Sequence, residues 1–135
     1  MIKGISHLAF NVTNMEKALH FYQDILGFEK AFTIDDDNGN PWIVYLKVKP
    51  YQFIELFYSN EKEFNKDKLS YSHLCLEVDD INVIANHLKK NGIKLDVEPI
   101  QGKDKNYQCW CQDYDGNKIE FMQLHNESLQ VKVSK

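Results

Sequence analysis

The sequence predicts an α+β fold built from two tandem βαβββ modules, and two observations lead to this prediction. A strand pattern, an amphipathic helix pattern and three further strand patterns follow one another, and this order occurs twice. The segments "SHLAFNV" (6–12) and "SHLCLEV" (72–78) also share their Ser, His, Leu and Val. Two copies of about 60 residues indicate a duplicated supersecondary unit rather than a solenoid.

The first module begins with an alternating strand at residues 5–12, followed by a helix. Thr13 or Asn14 is expected to cap the helix, and Gly27 is expected to end it. The apolar stripe of this helix is predicted to consist of Met15, Ala18, Leu19, Tyr22, Ile25 and Leu26. The segment "DDDNGNP" then reads as a turn. The other strands of this module are predicted at residues 28–34, 42–48 and 51–57.

The second module repeats this order from residue 71. Its helix is expected to be capped by Asp79 or Asp80 and closed by Gly92. Its strands are predicted at residues 71–78, 93–98, 107–113 and 118–124. We therefore expect one domain over residues 1–135, consisting of module 1–65, module 70–124 and a C-terminal tail, 125–135, that is irregular or adds an edge strand.

Composition excludes several function classes. The net charge of −4 argues against nucleic-acid binding, which requires clustered basic residues. No apolar run approaches the roughly 18 residues of a membrane span, and the N-terminus lacks a signal-peptide pattern, so we expect a cytoplasmic protein with no membrane partner. The odd set of three cysteines predicts reduced thiols, and we interpret Cys109 and Cys111 as small buried residues.

The strand "QFIELF" (52–57) places one carboxylate, Glu55, in an apolar setting. Such a group needs a cation, a metal ion or a proton, because leaving it unpaired costs several kcal/mol. Glu120 occupies the equivalent strand of the second module, in "KIEFM". His7 and His73 occupy equivalent positions on the first strands, 48 and 47 residues before these glutamates.

A histidine and a glutamate on neighbouring first and last strands can reach a common ligand. Two modules that face each other, in one chain or across a dimer, would combine His7, Glu55, His73 and Glu120 into a site with two histidines and two glutamates. These donors suit a divalent Zn, Ni, Co, Fe or Mn ion. The remaining histidines have no such partners and are interpreted as surface or packing residues: His20, His87 and His125.

These motifs resemble the vicinal oxygen chelate superfamily, which includes glyoxalase I, bleomycin-resistance proteins, extradiol dioxygenases, fosfomycin-resistance proteins and methylmalonyl-CoA epimerase. The resemblance covers residues 1 to about 124 and is carried by the His7 strand and by "ALHFYQDILGF" (18–28), "FIELF" (53–57), "SHLCLEV" (72–78) and "DYDGNKIEFMQ" (113–123). It implies paired βαβββ modules whose curved mixed sheets enclose a metal cleft, often completed in a homodimer.

Within the superfamily, the resemblance is greatest to glyoxalase I. His7, Glu55, His73 and Glu120 fall on its four ligand positions, and Glu120, or alternatively Glu55, corresponds to the residue that moves the proton. Extradiol dioxygenases and fosfomycin-resistance enzymes characteristically use two histidines and one glutamate, with no acidic ligand at the position of Glu55. The resemblance therefore implies a metal-dependent lyase or isomerase that acts on a small α-oxo or hydroxy-carbonyl compound or its thiol adduct.

Two substitutions argue against glutathione as the thiol, because Asn11 and Ser59 replace an Arg and an Asn that glutathione-specific enzymes commonly carry. Lys103 and Lys105 are alternative residues for binding an anionic substrate. An epimerase or dioxygenase of the same superfamily remains open, as does a drug- or metabolite-binding protein without turnover. Aromatic residues would form the walls of such a pocket: Phe53, Phe57, Trp110 and Phe121.

Overall fold

The computed structural model describes residue 1, residues 3–65 and residues 71–134, and it divides into two compact units, Met1–Asn65 and Lys66–Lys135. The predicted start of the second module at residue 70 lies outside the described residues. The strands of unit 1 are β1 (His7–Val12), β2 (Glu29–Asp35), β3 (Pro41–Lys49) and β4 (Gln52–Tyr58). The strands of unit 2 are β5 (His73–Glu77), β6 (Val97–Gln101), β7 (Tyr107–Gln112) and β8 (Lys118–Gln123).

Each unit forms a mixed sheet of four strands over the residues that the structure describes. The strand orders are β1-β4-β3-β2 and β5-β8-β7-β6. The first and last strands of each unit pair in parallel, and the other neighbours pair antiparallel. Two parallel strands must be joined by a crossover connection, and in each unit this connection begins with the helix that follows the first strand. The predicted α+β fold of two βαβββ modules is confirmed.

The helix of unit 1 has two parts. Helix α1 (Met15–Leu19) begins at Asn14, whose side chain accepts a hydrogen bond from the backbone of Lys17 at 3.0 Å. It continues as a π-helical stretch, His20–Ile25, before Gly27 with a φ of +81°. The predicted stripe missed Phe21, which is fully buried, because a wider turn changes which side chains share the inner face.

Unit 2 has a regular helix, α2 (Ile81–Lys90), which packs against β6, β7 and β8. Asp80 rather than Asp79 caps it, because the Asp80 carboxylate accepts hydrogen bonds from the backbone of Asn82 and Val83 at 2.8 and 3.1 Å. Gly92 follows the helix with a φ of +78°, as the glycine signal predicts.

Two predicted segments of unit 2 differ from the structure. The strand predicted at 93–98 is β6, Val97–Gln101, since the backbone of Ile93 still bonds to the end of helix α2 and pairing with β7 starts only near Asp96. The tail contains a short helix, α3 (Leu129–Val133), rather than an added edge strand. Ser128, which is fully buried, caps this helix by accepting a hydrogen bond from Val131.

The core of each unit lies on the helix-facing side of its sheet. Ile54 and Leu56 of β4 and Ile119 and Phe121 of β8 are at most 2% exposed. Cys109 and Cys111 are fully buried on β7, as predicted. Among the described residues, no helix is long and apolar enough to cross a membrane.

Candidate functional site

The parallel pairing of β1 and β4 brings the first predicted pair together. Ala9 lies directly opposite Glu55, so His7 is the diagonal neighbour of the glutamate. His7 Nε2 lies 3.1 Å from Glu55 Oε2. The glutamate side chain is 6% exposed and the histidine side chain is 47% exposed. A buried carboxylate therefore meets an imidazole that is open to solvent.

Unit 2 repeats this geometry with different neighbours. Cys75 lies opposite Glu120, and His73 is again the diagonal neighbour of the glutamate. His73 Nε2 lies 3.0 Å from Glu120 Oε2, with 33% of the histidine side chain and 8% of the glutamate side chain exposed. The sequence repeat therefore corresponds to a repeated three-dimensional arrangement of the same two side chains.

Strand alternation determines which face carries each pair. Ile54 and Leu56 point toward the core side of unit 1, so Glu55 points to the opposite face. The same alternation separates Glu120 from Phe121 in unit 2. The suggestion that Phe121 lines a pocket with the other aromatic residues is therefore wrong, because Phe121 belongs to the core.

Tyr45 is the cross-strand neighbour of Glu55 on β3. A hydrogen bond to Glu55, with desolvation and the carboxylate charge as smaller causes, raises the pKa of the Tyr45 phenol. Phe32 stacks on Tyr45 with ring centroids 4.2 Å apart, and Phe53 lies edge-on to Tyr45 at 6.2 Å. Two apolar rings thus pack against the phenol that contacts the Glu55 carboxylate.

Glu120 has a less polar cross-strand neighbour, Trp110. The indole Nε1 donates a hydrogen bond to Gln108 Oε1 at 2.7 Å, and the indole ring lies 4.6 Å from the His73 ring. Cys75 lies on the other side of Glu120. Although the residue is exposed, desolvation and then the Glu120 charge raise the pKa of its thiol to about 12. A thiol and an indole border this carboxylate where a phenol borders Glu55.

Imidazole nitrogen and carboxylate oxygen are suitable donors for a borderline divalent ion. Within the described part of either unit, however, no group of three or more His, Cys, Asp or Glu side chains forms a metal site. Each unit therefore contributes two fitting donors, whereas protein sites for such ions generally use three or four.

Several other predicted residues lie elsewhere or have structural partners. Lys105 lies 3.5 Å from the Glu127 carboxylate, and His20 lies 3.1 Å from Asp24 on the π-helical stretch. Asp113, at the start of the "DYDG" segment, accepts backbone hydrogen bonds from Asp115 and Asn117, as a turn residue does. Lys105 therefore has an acidic partner within its own unit.

Sequence reasoning missed two neighbours of the pairs. Tyr45 was not evident from spacing, because a register shift between Lys47 and Lys49 places Tyr45 rather than Leu46 opposite Glu55. Ser72, whose Oγ lies 2.9 Å from His73 Nδ1, was visible only as a member of the repeated "SHL" segment.

Comparison with known proteins agrees with the fold. Residues 4–121 match the family model for the glyoxalase/bleomycin resistance protein/dioxygenase superfamily. The match covers most of the chain, and the chain belongs to this superfamily.

Individual relatives within the superfamily have different activities. A metallothiol transferase FosB from Staphylococcus haemolyticus is 28% identical over 99% of this chain and 91% of the relative. A lactoylglutathione lyase from Haemophilus influenzae is 25% identical over 88% of this chain and 91% of the relative. The crystal structure of a glyoxalase family protein from Enterococcus faecalis matches with a TM-score of 0.73 and 26% identity, over 89% of this chain and 97% of that chain.

Proposed function

We propose that this protein is a metal-dependent lyase or isomerase of the glyoxalase I type. Its substrate would be a small α-oxo or hydroxy-carbonyl compound or its thiol adduct. The observation that carries the proposal is the duplicated pair, in which a histidine Nε2 lies 3.1 or 3.0 Å from a buried glutamate in each unit. Glu55 is the residue that, by resemblance, distinguishes glyoxalase I from superfamily enzymes with two histidines and one glutamate.

The proposed ligands are His7 and Glu55 from one unit and His73 and Glu120 from the other. The two units would belong to one chain or to the two chains of a homodimer, and the ion would be Zn, Ni, Co, Fe or Mn. When bound, such an ion supplies Lewis-acid stabilisation of the negative charge that develops on the substrate oxygens.

The carboxylates would perform the proton transfer. We assign Glu120 as the base that removes the proton from the carbon next to the carbonyl and returns it to the neighbouring carbon. No atom is gained or lost, so the product is an isomer of the adduct. The assignment of Glu120 rests on the resemblance to glyoxalase I, in which this position corresponds to the residue that moves the proton.

The thiol is proposed to be one other than glutathione, because the positions that carry Arg and Asn in glutathione-specific enzymes are Asn11 and Ser59 here. The neutral amide of Asn11 cannot form the bidentate ion pair that an Arg forms with a carboxylate.

The test is to measure bound metal and activity in the same preparation. Protein purified without added ions is analysed for metal and assayed with methylglyoxal adducts of several thiols. We expect a divalent ion, isomerisation of at least one adduct, loss of activity with a chelator and recovery when the ion is restored. Absence of turnover with every adduct and every restored ion would contradict the proposal, and oxygen consumption by an Fe(II) form would favour a dioxygenase.

Single-residue variants then test the assignment. Glu120→Gln should lower kcat by about 100-fold or more, as loss of a general base does, and Glu55→Gln should lower metal affinity. Glu77→Gln is the matched control, because Glu77 is an exposed carboxylate on β5, the strand that carries His73. If Glu55→Gln binds metal and turns over substrate as the unmodified protein does, Glu55 has no role as a ligand.

A second candidate function is transfer of a thiol to an electrophilic substrate. The observation that favours it is the match to the FosB metallothiol transferase, which extends over 99% of this chain. A thiol assayed with an epoxide or another electrophile should then form a new carbon–sulfur bond, with the thiol proton passing to the leaving oxygen. By resemblance, such enzymes lack an acid at the position of Glu55, so Glu55→Gln should retain transferase activity and lose lyase activity.

A further inference from the structure

We propose that Ser72 is a positioning residue that orients His73 for metal binding. This inference rests on the proposed function of His73 as a ligand. Ser72 Oγ lies 2.9 Å from His73 Nδ1, and His73 Nε2 lies 3.0 Å from Glu120 Oε2. Each ring nitrogen therefore has a polar partner, and together they fix the direction of the nitrogen that faces Glu120.

A hydroxyl suits this position because it can donate or accept. Without a metal ion, His73 Nε2–H donates to the Glu120 carboxylate, and the Ser72 hydroxyl donates to Nδ1. A nitrogen that binds a metal must offer its lone pair, so in the metal-bound protein the ring hydrogen is on Nδ1 and Ser72 Oγ accepts it. Rotation of one hydroxyl hydrogen accommodates both tautomers without movement of the imidazole.

Trp110 supports the same ring from a third direction. The indole and imidazole centroids are 4.6 Å apart with planes inclined by 59°, and the hydrogen bond from the indole Nε1 to Gln108 holds the indole in place. Loss of the Ser72 hydroxyl would leave Nδ1 facing a methyl group. Of its partners among the described residues, His73 would retain the Glu120 carboxylate and the Trp110 ring. The ring would then lose a preferred orientation, which weakens metal binding.

The other unit contains a matched control in the same dipeptide. Ser6 precedes His7 as Ser72 precedes His73. Among the described residues, no hydrogen bond joins the Ser6 hydroxyl to His7. The backbone carbonyl of Ser6 instead accepts a hydrogen bond from the backbone N–H of Phe53 at 2.9 Å. Removing the Ser6 hydroxyl should therefore have no effect on the neighbouring imidazole.

The first experiment is calorimetric titration of Zn²⁺ or Ni²⁺ into metal-free protein. Ser72→Ala should bind the ion about 10- to 100-fold more weakly, whereas Ser72→Thr, which keeps a hydroxyl, and Ser6→Ala should stay close to the unmodified protein. Circular dichroism establishes that each variant is folded. Ser72→Ala with unchanged affinity would overturn the role of Ser72, whereas an unmodified protein that binds no ion would overturn the proposed function.

The second experiment uses metal-free protein, so that Ser72 is tested even if no ion binds. Long-range ¹H–¹⁵N spectra report the tautomer and environment of each imidazole. In Ser72→Ala, the Nδ1 resonance of His73 and the ring protons near Trp110 should shift while those of His7 remain unchanged. In Ser6→Ala, neither histidine should change. Unchanged His73 resonances in Ser72→Ala would overturn the positioning role.

Discussion

At the residue scale, the two buried glutamates raise the question of how a carboxylate is stabilised on the surface of a sheet. Glu55 is paired with His7 at 3.1 Å, and Glu120 is paired with His73 at 3.0 Å. Removing the hydrogen-bond donor of a buried carboxylate is costly, because the carboxylate then loses a polar partner without regaining full hydration. The histidines should therefore matter for stability even without a metal ion.

Replacing His7 with Ala tests this dependence. In metal-free protein we expect the free energy of unfolding to fall by about 1 to 2 kcal/mol, because the buried Glu55 carboxylate loses one of its two hydrogen-bond partners among the described residues and retains Tyr45. The control is His20→Ala, whose pair with Asp24 is exposed and should contribute about 0.5 kcal/mol or less. Urea denaturation measures both. Equal effects of the two substitutions would mean that burial of Glu55 creates no dependence on His7.

The two buried cysteines predict a loss of stability in alkali. Burial is the main cause that raises the pKa of Cys109 to about 11 and that of Cys111 to about 12. The unfolded chain, with thiol pKa values near 9, then releases protons that the folded chain retains. Stability is therefore unaffected well below pH 9 and falls as the pH rises from about 9 toward the folded values.

Between pH 8 and pH 10 we expect a loss of about 1 to 3 kcal/mol from these two thiols, since each contributes up to about 1.4 kcal/mol per pH unit. Denaturation curves at several pH values measure the slope. The control is the Cys109→Ala, Cys111→Ala double variant, which is less stable at neutral pH because of its cavities but should show a shallower slope. Parallel slopes for the two proteins would contradict a contribution from the thiols.

At the element scale, three hairpin turns share one backbone design. In each five-residue turn, the backbone N–H of the first residue donates a hydrogen bond to the backbone carbonyl of the fifth residue, and the fourth residue has a positive φ. The turns are Asp36–Asn40, Gly102–Asn106 and Asp113–Asn117. The fourth residue is glycine in two of them, Gly39 and Gly116, but Lys105 in the remaining one, with a φ of +73°. Lysine in this conformation is strained, because its Cβ crowds the backbone.

Substitutions at equivalent turn positions should have opposite effects. Gly39→Ala should lower the free energy of unfolding by about 1 kcal/mol. The added Cβ would meet nothing within 4 Å, so this loss of stability would come from the positive φ of the backbone and not from a steric clash with neighbouring residues. Lys105→Gly removes the strain together with an exposed ion pair to Glu127, and we expect no loss or a gain of about 0.5 kcal/mol. Thermal denaturation measures both variants. A Lys105→Gly protein as destabilised as Gly39→Ala would disprove the shared turn design.

At the scale of the whole molecule, the proposed four-ligand site requires one pair from each unit. A mixing experiment distinguishes a site within one chain from a site shared by two chains of a homodimer. Glu55→Gln disables the pair of unit 1, and Glu120→Gln disables the pair of unit 2. Each variant alone should be inactive, so any activity after co-refolding of the two must come from chains that combine their intact units.

If the units of different chains combine, a heterodimer of the two variants contains one intact site, and a statistical mixture recovers about a quarter of the unmodified activity. If both pairs come from the same chain, the mixture stays inactive. Mixing two preparations of Glu55→Gln is the control and should recover nothing. Analytical ultracentrifugation establishes whether the species is twice the 15.9 kDa chain mass. Recovery in a strictly monomeric mixture would contradict both arrangements.

The sequence by itself determined the repeated βαβββ order and the equivalence of the two histidine–glutamate pairs. Both follow from local physics: side chains alternate along a strand, and a duplicated order places equivalent residues on equivalent strands. The pairing of each first strand with the last strand of its unit then brings His7 toward Glu55 and His73 toward Glu120.

Only the tertiary structure decided the neighbours of these pairs. Cross-strand register depends on turns and bulges, so Tyr45 beside Glu55 and Trp110 beside Glu120 were not evident from spacing. The contact from Ser72 to His73 depends on the local approach to β5, because the same dipeptide in unit 1 forms no such bond among the described residues. A repeated sequence specifies which residues correspond, whereas the packing around each copy determines how far their environments agree.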